Sequence, residues 1–234
     1  MFRNCTFVQN ISNMKKFVVI VAGGSGSRMG SEIPKQFLLL AGKPILMYTI
    51  EVFHNFDTKA EIIVVLPEDQ QEYWKDLCLT LNFGLTHQVV SGGESRFHSV
   101  RNGLARIESS GVVFIHDGVR PLVSSETLSR CLKTAQELGN AIPVLPVTES
   151  LRKTEGETSI SVDRSLYFSV QTPQTFRCEQ ILEAFGQAFD PAFTDDASVA
   201  EKAGFKINLI EGNRENIKIT TPVDLIFAEA LLSR

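Results

Sequence analysis

The sequence predicts an α/β fold, and three observations carry the prediction. Short apolar runs rich in β-branched residues recur at 17–21, 61–66 and 112–115, each of a length suited to a strand buried on both faces. Between them, apolar residues return every three or four positions, the period of a helix packed along one face. The third observation is size: 234 residues can bury one sizeable core, and no shift in composition divides the chain. A single domain is therefore expected over 15–234. Residues 1–14 read as a disordered or mis-assigned leader, because a second methionine, Met14, immediately precedes Lys15-Lys16 and the first strand.

Charge and composition exclude several classes. With 23 basic and 27 acidic residues the net charge is −4, which gives no field able to hold nucleic acid. No apolar run approaches the roughly 18 residues of a membrane span, and 1–13 lack the continuous apolar stretch of a signal peptide. Cys5, Cys78, Cys131 and Cys178 lie far apart with no CxxC. That spacing suits reduced thiols in a cytoplasmic protein rather than a zinc site or a disulfide framework.

The first strand, 17–21, runs into a loop in which Gly23, Gly24, Gly26 and Gly30 sit among Ala22 and serines. Small residues after a buried strand let backbone N–H groups close around a phosphate. Arg28 and Lys35 lie in the same stretch, and neither reads as a core residue. The Walker pattern fails, since Gly42-Lys43 is followed by Pro44. The dinucleotide fingerprint also fails: its third small position falls on Met29, and Glu51 lies within an amphipathic helix instead of at a strand end. A ligand-free glycine turn would leave the two cations unexplained. The loop 23–30 and the segment Pro34-Lys35-Gln36-Phe37 instead match a nucleotidyltransferase signature, whose chemistry needs fixed cations and N–H dipoles around phosphates.

After the loop, Pro44 opens a helix bearing Ile45, Leu46, Ile50 and Phe53. Strand 61–66 follows, ended by Pro67, then a helix over 69–81 and a strand over 86–90. The turn 91–96 opens a helix with Val100 and Leu104 on its stripe, and both Gly93 and Ser99 fall where a ligand would sit. Strand 112–115 leads to His116-Asp117-Gly118-Val119-Arg120-Pro121. Asp117, at a strand end, is placed to meet a metal or a ribose hydroxyl, and Arg120 a second phosphate. His116, between Ile115 and an acid, reads as structural. Ser124 or Ser125 caps a helix stopped by Gly139-Asn140, and a strand spans 141–147.

Residues 148–170 are polar, alternate loosely and centre on Glu155-Gly156-Glu157. They read as a β-arm that seeks a partner, hence a homodimer. The segment 171–176 returns to the body, followed by a helix carrying Ile181, Leu182, Phe185 and Phe189. Capping alone would explain Asp195 and Asp196 at the next helix start; a metal role is the alternative. Strands are expected at 206–210 and 217–219, then a last helix with Thr221 as cap and Pro222 at its first position. Lys218, with apolar neighbours on both sides, needs a counter-charge.

Taken together, AGGSGSRMG, PKQF, SGGESRFHSV, HDGVRP, VDRS, QTPQTF, TDDAS and ENIKIT occur in an order and spacing that resembles the 2-C-methyl-D-erythritol 4-phosphate cytidylyltransferase family from about Lys16 to the C-terminus. The resemblance implies a mixed, mostly parallel Rossmann-like sheet with helices on both faces and a protruding dimerisation arm. It implies CTP and a polyol phosphate as substrates, Mg²⁺ as the divalent cation, and direct in-line attack. Arg28, Lys35, Arg164 and Lys218 would be catalytic. Ala22, Gly23, Gly24, Gly26, Gly93, Ser99, Asp117 and Gly118 would hold the nucleotide, and Asp117, Arg120, Ser150, Arg164 and Thr172 the acceptor, with Arg164 reaching into the partner's site. Asp117 would be a metal ligand if the triphosphate does not hold the ion by itself. Two departures stand out: Gly118-Val119 replace an Ala-Ala pair, and Ser150 stands where a threonine is usual. The sister ribitol 5-phosphate cytidylyltransferases vary at the former place, whereas TDDAS and VDR favour methylerythritol phosphate. A non-catalytic nucleotide-binding protein of the same fold is the other alternative.

Overall fold

The computed structural model describes residues 14–24 and 33–233. The leader at 1–13, and Gly26 and Arg28 of the glycine-rich segment, lie outside the described residues.

The chain opens on β1 (Lys15–Val21), whose central four residues are buried. A single 3-10 turn, Lys35–Phe37, leads to a small hairpin of β2 (Leu39–Leu40) and β3 (Lys43–Pro44) that the sequence had not signalled. Its turn is closed by Ala41 and Gly42, both at positive φ. Strand and helix then alternate: α1 (Ile45–Phe56), β4 (Glu61–Leu66), α2 (Glu68–Thr80), β5 (Gln88–Ser91), α3 (Arg96–Leu104), β6 (Gly111–Asp117), α4 (Ser125–Leu138) and β7 (Asn140–Pro146). Ser124 caps α4 by accepting from Thr127 N–H, and Gly139 at φ 96° ends it. Beyond β7 come β8 (Leu151–Glu155), β9 (Thr158–Val162), a 3-10 turn at Arg164–Leu166, β10 (Phe168–Val170), β11 (Gln174–Arg177), α5 (Cys178–Ala184), α6 (Asp196–Lys202), β12 (Leu209–Glu211) and α7 (Pro222–Leu232).

The main sheet has the order β10-β7-β11-β6-β1-β4-β5, with β12 also paired to β7. Neighbours among β5, β4, β1 and β6 are parallel, while β11 runs antiparallel between β6 and β7. The period-2 alternation of β1 distributes the core. Phe17 and Val19 pack with Phe97, Val100 and Leu104 of α3 and Ile181 of α5. Val18 and Ile20 pack with Leu46, Ile50 and Phe53 of α1, Trp74 of α2 and Leu128 of α4. Helices therefore cover both faces, as expected, and each buried apolar side chain contributes about 1.5–3 kcal/mol.

Four expectations need correction. The arm is narrower than 148–170: β8 and β9 form a separate exposed hairpin turning at Gly156, φ 62°, but 168–170 pair with β7 in the main sheet. The helix after 177 ends at Ala184, because Gly186 turns back on Glu183 O and Gln187 Nε2 donates to Ala184 O, so Phe185 and Phe189 lie beyond it. The strand at 206–210 is confined to Leu209–Glu211. Residues 217–219 form no strand; Ile219 N–H donates to Val119 O at 2.9 Å, which ties this stretch to the turn after β6.

Close approach of α3 to the sheet depends on Gly103, where an added Cβ would fall 2.6 Å from Val19 Cγ1 and 3.0 Å from Val65 Cγ2. Helix propensity alone would make Gly103→Ala stabilising by about 1 kcal/mol. Overpacking against two strands should reverse that sign, giving a net loss of roughly 1–2 kcal/mol by urea denaturation.

Candidate functional site

The chain runs from β1 through α1 to β4 on one side of the sheet, while β6 flanks β1 on the other, so a crevice opens at the carboxyl ends of β1 and β6. Val21 and Asp117 are register partners there. Gly118 N–H donates to Val21 O and Ala22 N–H to Val65 O, both at 2.9 Å, so the glycine segment leaves the sheet level with Asp117.

Asp117 is 7% exposed and sits among three cations. Its Oδ2 accepts from Lys218 Nζ at 3.0 Å and Arg120 Nε at 3.1 Å, and Arg96 Nε stands 3.8 Å from Oδ1. Burial pushes the carboxyl up, but Arg96, Lys218 and Arg120 together hold it well below the usual carboxylate range. Lys218 therefore finds its counter-charge within the protein. Arg120 Nη1 also donates to Asn216 O at 2.8 Å, fixing the guanidinium in place.

The peptide of Asp117 is held just as firmly. Its N–H donates to Thr172 Oγ1 at 3.1 Å, and that hydroxyl lies 3.0 Å from His116 Nδ1. His116 Nε2 is 2.9 Å from Arg120 O, which can only accept, so Nε2 carries the proton and Nδ1 accepts from Thr172. With 0% exposure and both ring nitrogens engaged, His116 is structural, as expected. Burial lowers its pKa to about 4. Thr172 reaches this position because the strand is interrupted: Val170 faces Val144 but Thr175 faces Ala141, five steps on one strand against three on the other.

Two cavities meet at this cluster. One, of about 290 Å³, is lined by Ala22, Gly23, Gly24, Lys35, Gly93 and Ser99 among others. The second, of about 300 Å³, is lined by Arg120, Gln171, Thr172, Gln174, Thr194 and Asp195. Arg96, Asp117 and Lys218 line both. In the first cavity the backbone needs glycine at Gly93, whereas Gly24 faces only the flexible end of Lys35. A Cβ on Gly93 would fall 2.5 Å from His98 Cβ, and one on Gly24 would fall 2.9 Å from Lys35 Cε. Ser99 Oγ accepts from Gly93 N–H at 3.1 Å, which holds the turn over the cavity.

The remaining expected residues lie elsewhere. Gly118 lines neither cavity; it packs behind the wall, where a Cβ would meet Ala22 Cβ at 2.8 Å. Ser150 and Arg164 are exposed on the arm, and Arg164 Nη1 donates to Thr148 O. Neither lines either of these two cavities. Asp195 caps α6 and accepts from Gln174 Nε2 at 2.7 Å, while Asp196 is wholly buried against Arg96, so capping and ion pairing account for both.

Among the described residues no three His, Cys, Asp or Glu side chains converge on a possible metal position. Asp117, the expected metal ligand, has one oxygen already taken by two cations. That donor set does not fit a metal site belonging to the protein alone. Arg96 was missed by the sequence reading. Its signal was present: a cation at the first position of a helix opposes the macrodipole and calls for a local anion.

The family model described as IspD, 2-C-methyl-D-erythritol 4-phosphate cytidylyltransferase, matches residues 16–234. A protein of that name from Bacteroides thetaiotaomicron is 53% identical over 219 residues, covering 94% of this chain and all of that one. One from Porphyromonas gingivalis is 50% identical over 221 residues, covering 94% and 98%. The crystal structure of the Thermus thermophilus enzyme of the same name superposes with a TM-score of 0.77 at 33% identity, over 94% of this chain and 100% of that one. The 4-diphosphocytidyl-2C-methyl-D-erythritol synthase of Anaerococcus prevotii gives 0.80 at 26% identity, over 96% and 98%.

The depressed pKa of His116 predicts an acid sensitivity. The folded chain keeps the imidazole neutral to about pH 4, whereas the unfolded chain takes the proton near 6.5. The unfolded state thus binds more protons between those values, so this contribution is complete above 6.5 and is lost as pH falls toward 4, by roughly 3 kcal/mol in all. Urea titrations between pH 7.5 and 5 should show the slope, and His116→Gln should flatten it. An unchanged slope in that variant would assign the sensitivity to other groups.

Proposed function

The chain belongs to the 2-C-methyl-D-erythritol 4-phosphate cytidylyltransferase family, and from that premise we propose how its residues divide the work of moving CMP from CTP to 2-C-methyl-D-erythritol 4-phosphate. The enzyme is a nucleotidyltransferase, and the ribitol phosphate alternative is not favoured by its relatives. The observation that carries the division is the Asp117 cluster at the seam of two cavities. CTP occupies the cavity of Gly23, Gly24, Gly93 and Ser99, with Lys35 and, from outside the described residues, Arg28 on the triphosphate. The acceptor phosphate occupies the cavity of Arg120 and Thr172. Lys218, which lines both, neutralises charge where the two meet.

The acceptor's phosphate oxygen forms the new bond to the α-phosphorus while the bond to pyrophosphate breaks, its electron pair leaving with pyrophosphate. The nucleophile is already an anion at neutral pH, so no base is needed and alignment with fixed charge suffices. Asp117 takes no part in bond making; it holds Arg120 and Lys218 pointed at the seam. Mg²⁺ carried by CTP itself would neutralise triphosphate charge, with Lys35 and Lys218 supplying the protein's share. A cytoplasmic location is also proposed, supported by the free thiols of Cys78, Cys131 and Cys178.

We also propose that the chain works as a homodimer. Most residues of the arm hairpin are exposed, and Leu166, Tyr167, Phe168 and Val170 beside it are 45–76% exposed, an apolar surface of the kind a partner covers. Ser150 and Arg164 would then serve the neighbour's acceptor cavity.

Pyrophosphate release tests the assignment: methylerythritol phosphate should be turned over far faster than ribitol phosphate, and EDTA should abolish the reaction until Mg²⁺ is restored. Lys35→Ala should cut kcat by roughly 10²-fold or more; wild-type kcat in that variant would remove Lys35 from the machinery. The dimer is tested by mixing inactive Arg164→Ala and Lys35→Ala subunits. One site of a mixed dimer then carries neither defect, so activity should reappear. Proven subunit exchange without recovery would place Arg164 in its own subunit's chemistry or in none.

A further inference from the structure

Asp196 is 0% exposed, and both of its oxygens are taken by one residue. Arg96 Nη1 and Nη2 donate to Oδ1 and Oδ2 at 2.7 Å each, a bidentate pair joining the start of α3 to the start of α6. A pair whose carboxylate is wholly buried seldom adds much net stability, because desolvating the ions costs about as much as their attraction returns. What it supplies is a fixed direction for the guanidinium. With one N–H of each terminal nitrogen held, Nε–H is outside that pairing, and its ion-pair partner Asp117 Oδ1 is 3.8 Å away, beyond hydrogen-bonding reach.

Arg96 also occupies a special place. Only Arg96, Asp117 and Lys218 line both cavities among the described residues. Asp117 repels a phosphate oxygen, and Lys218 Nζ is drawn to Asp117 at 3.0 Å. Resting on the division of cavities argued above, we propose that Arg96 is a catalytic residue whose Nε–H and charge bear on the α-phosphate oxygens at the seam, and that Asp196 is the positioning residue that aims it. As the acceptor oxygen bonds to phosphorus and the pyrophosphate oxygen departs with its electron pair, negative charge spreads over the non-bridging oxygens. A guanidinium already locked in place needs no reorganisation to meet that charge. Lysine cannot substitute, because an ammonium has no fork for Asp196 to grip.

The test uses the full chain and measures kcat, KM for both substrates, CTP affinity by calorimetry and Tm. Arg96→Lys should lose about 10²-fold in kcat while CTP affinity stays within about threefold. Asp196→Asn should lose about tenfold, and the double variant should be no worse than Arg96→Lys alone, since both changes break one unit. If Asp196→Asn does not fold, Arg96→Met/Asp196→Leu replaces the pair by apolar groups, a change that buried pairs tolerate; it should be folded and equally slow. Near-wild-type kcat in Arg96→Lys or in the apolar double variant, or fully additive losses in the double variant, would overturn the proposal. Loss of CTP affinity in step with kcat would do so too, by reducing Arg96 to a structural strut. A wild-type chain that released no pyrophosphate would instead overturn the assigned reaction.

Discussion

One carboxylate, at the last residue of β6, is the constraint on which the site depends. Asp117 is buried, and an isolated ion there would cost several kcal/mol. It is tolerated because three cations from three parts of the chain converge on it: Arg96 at the start of α3, Arg120 in the turn after β6, and Lys218 from the extended stretch before α7. The dependence is mutual. Without the carboxylate, Lys218 would lose its counter-charge and three positive groups would face one another at the seam, with Arg96 left to Asp196 and Arg120 to the carbonyl of Asn216. The protein therefore presents preorganised positive charge at a position where its own electrostatics would otherwise scatter it.

The sheet makes this convergence possible. Parallel strands β1 and β6 deliver the glycine segment and Asp117 to the same level. The antiparallel β11 then brings the chain back beside β6, and the interruption before it releases Thr172 from the ladder to bond Asp117 and His116. In a regular ladder the Asp117 N–H would have gone to a carbonyl of the neighbouring strand instead of to this hydroxyl. The departure from regular pairing thus becomes a polar connection between the end of β6 and the acceptor cavity.

The fold was legible wherever burial dictates a period. The strands at 61–66 and 112–115 and the capped helices beginning near Ser124 and Thr221 were read closely because apolar spacing and cap chemistry are local. The misreadings also have local causes. Phe185 and Phe189 keep helical spacing, but Gly186 ends the helix and the rings instead join an aromatic group with Phe97 and Phe193. Lys218 looked like a strand residue in need of a counter-charge, since its partner Asp117 is invisible at that separation. The two cavities, the absence of Gly118 from their walls and the Arg96–Asp196 pair all arise from contacts between distant segments, which no local pattern encodes.

That separation has a consequence for how the protein is made. Arg96 and Asp196 are 100 residues apart, Arg120 reaches an acceptor 96 residues on, and Lys218 is a similar distance from Asp117. At about 5–20 residues per second, roughly 5–20 s of synthesis separate the carboxylate from its last cation. For that interval the strands β1, β4, β5 and β6 have been synthesised while the ion cluster lacks its last cation, so the charge cluster can be completed only when the segment around Lys218 has been made.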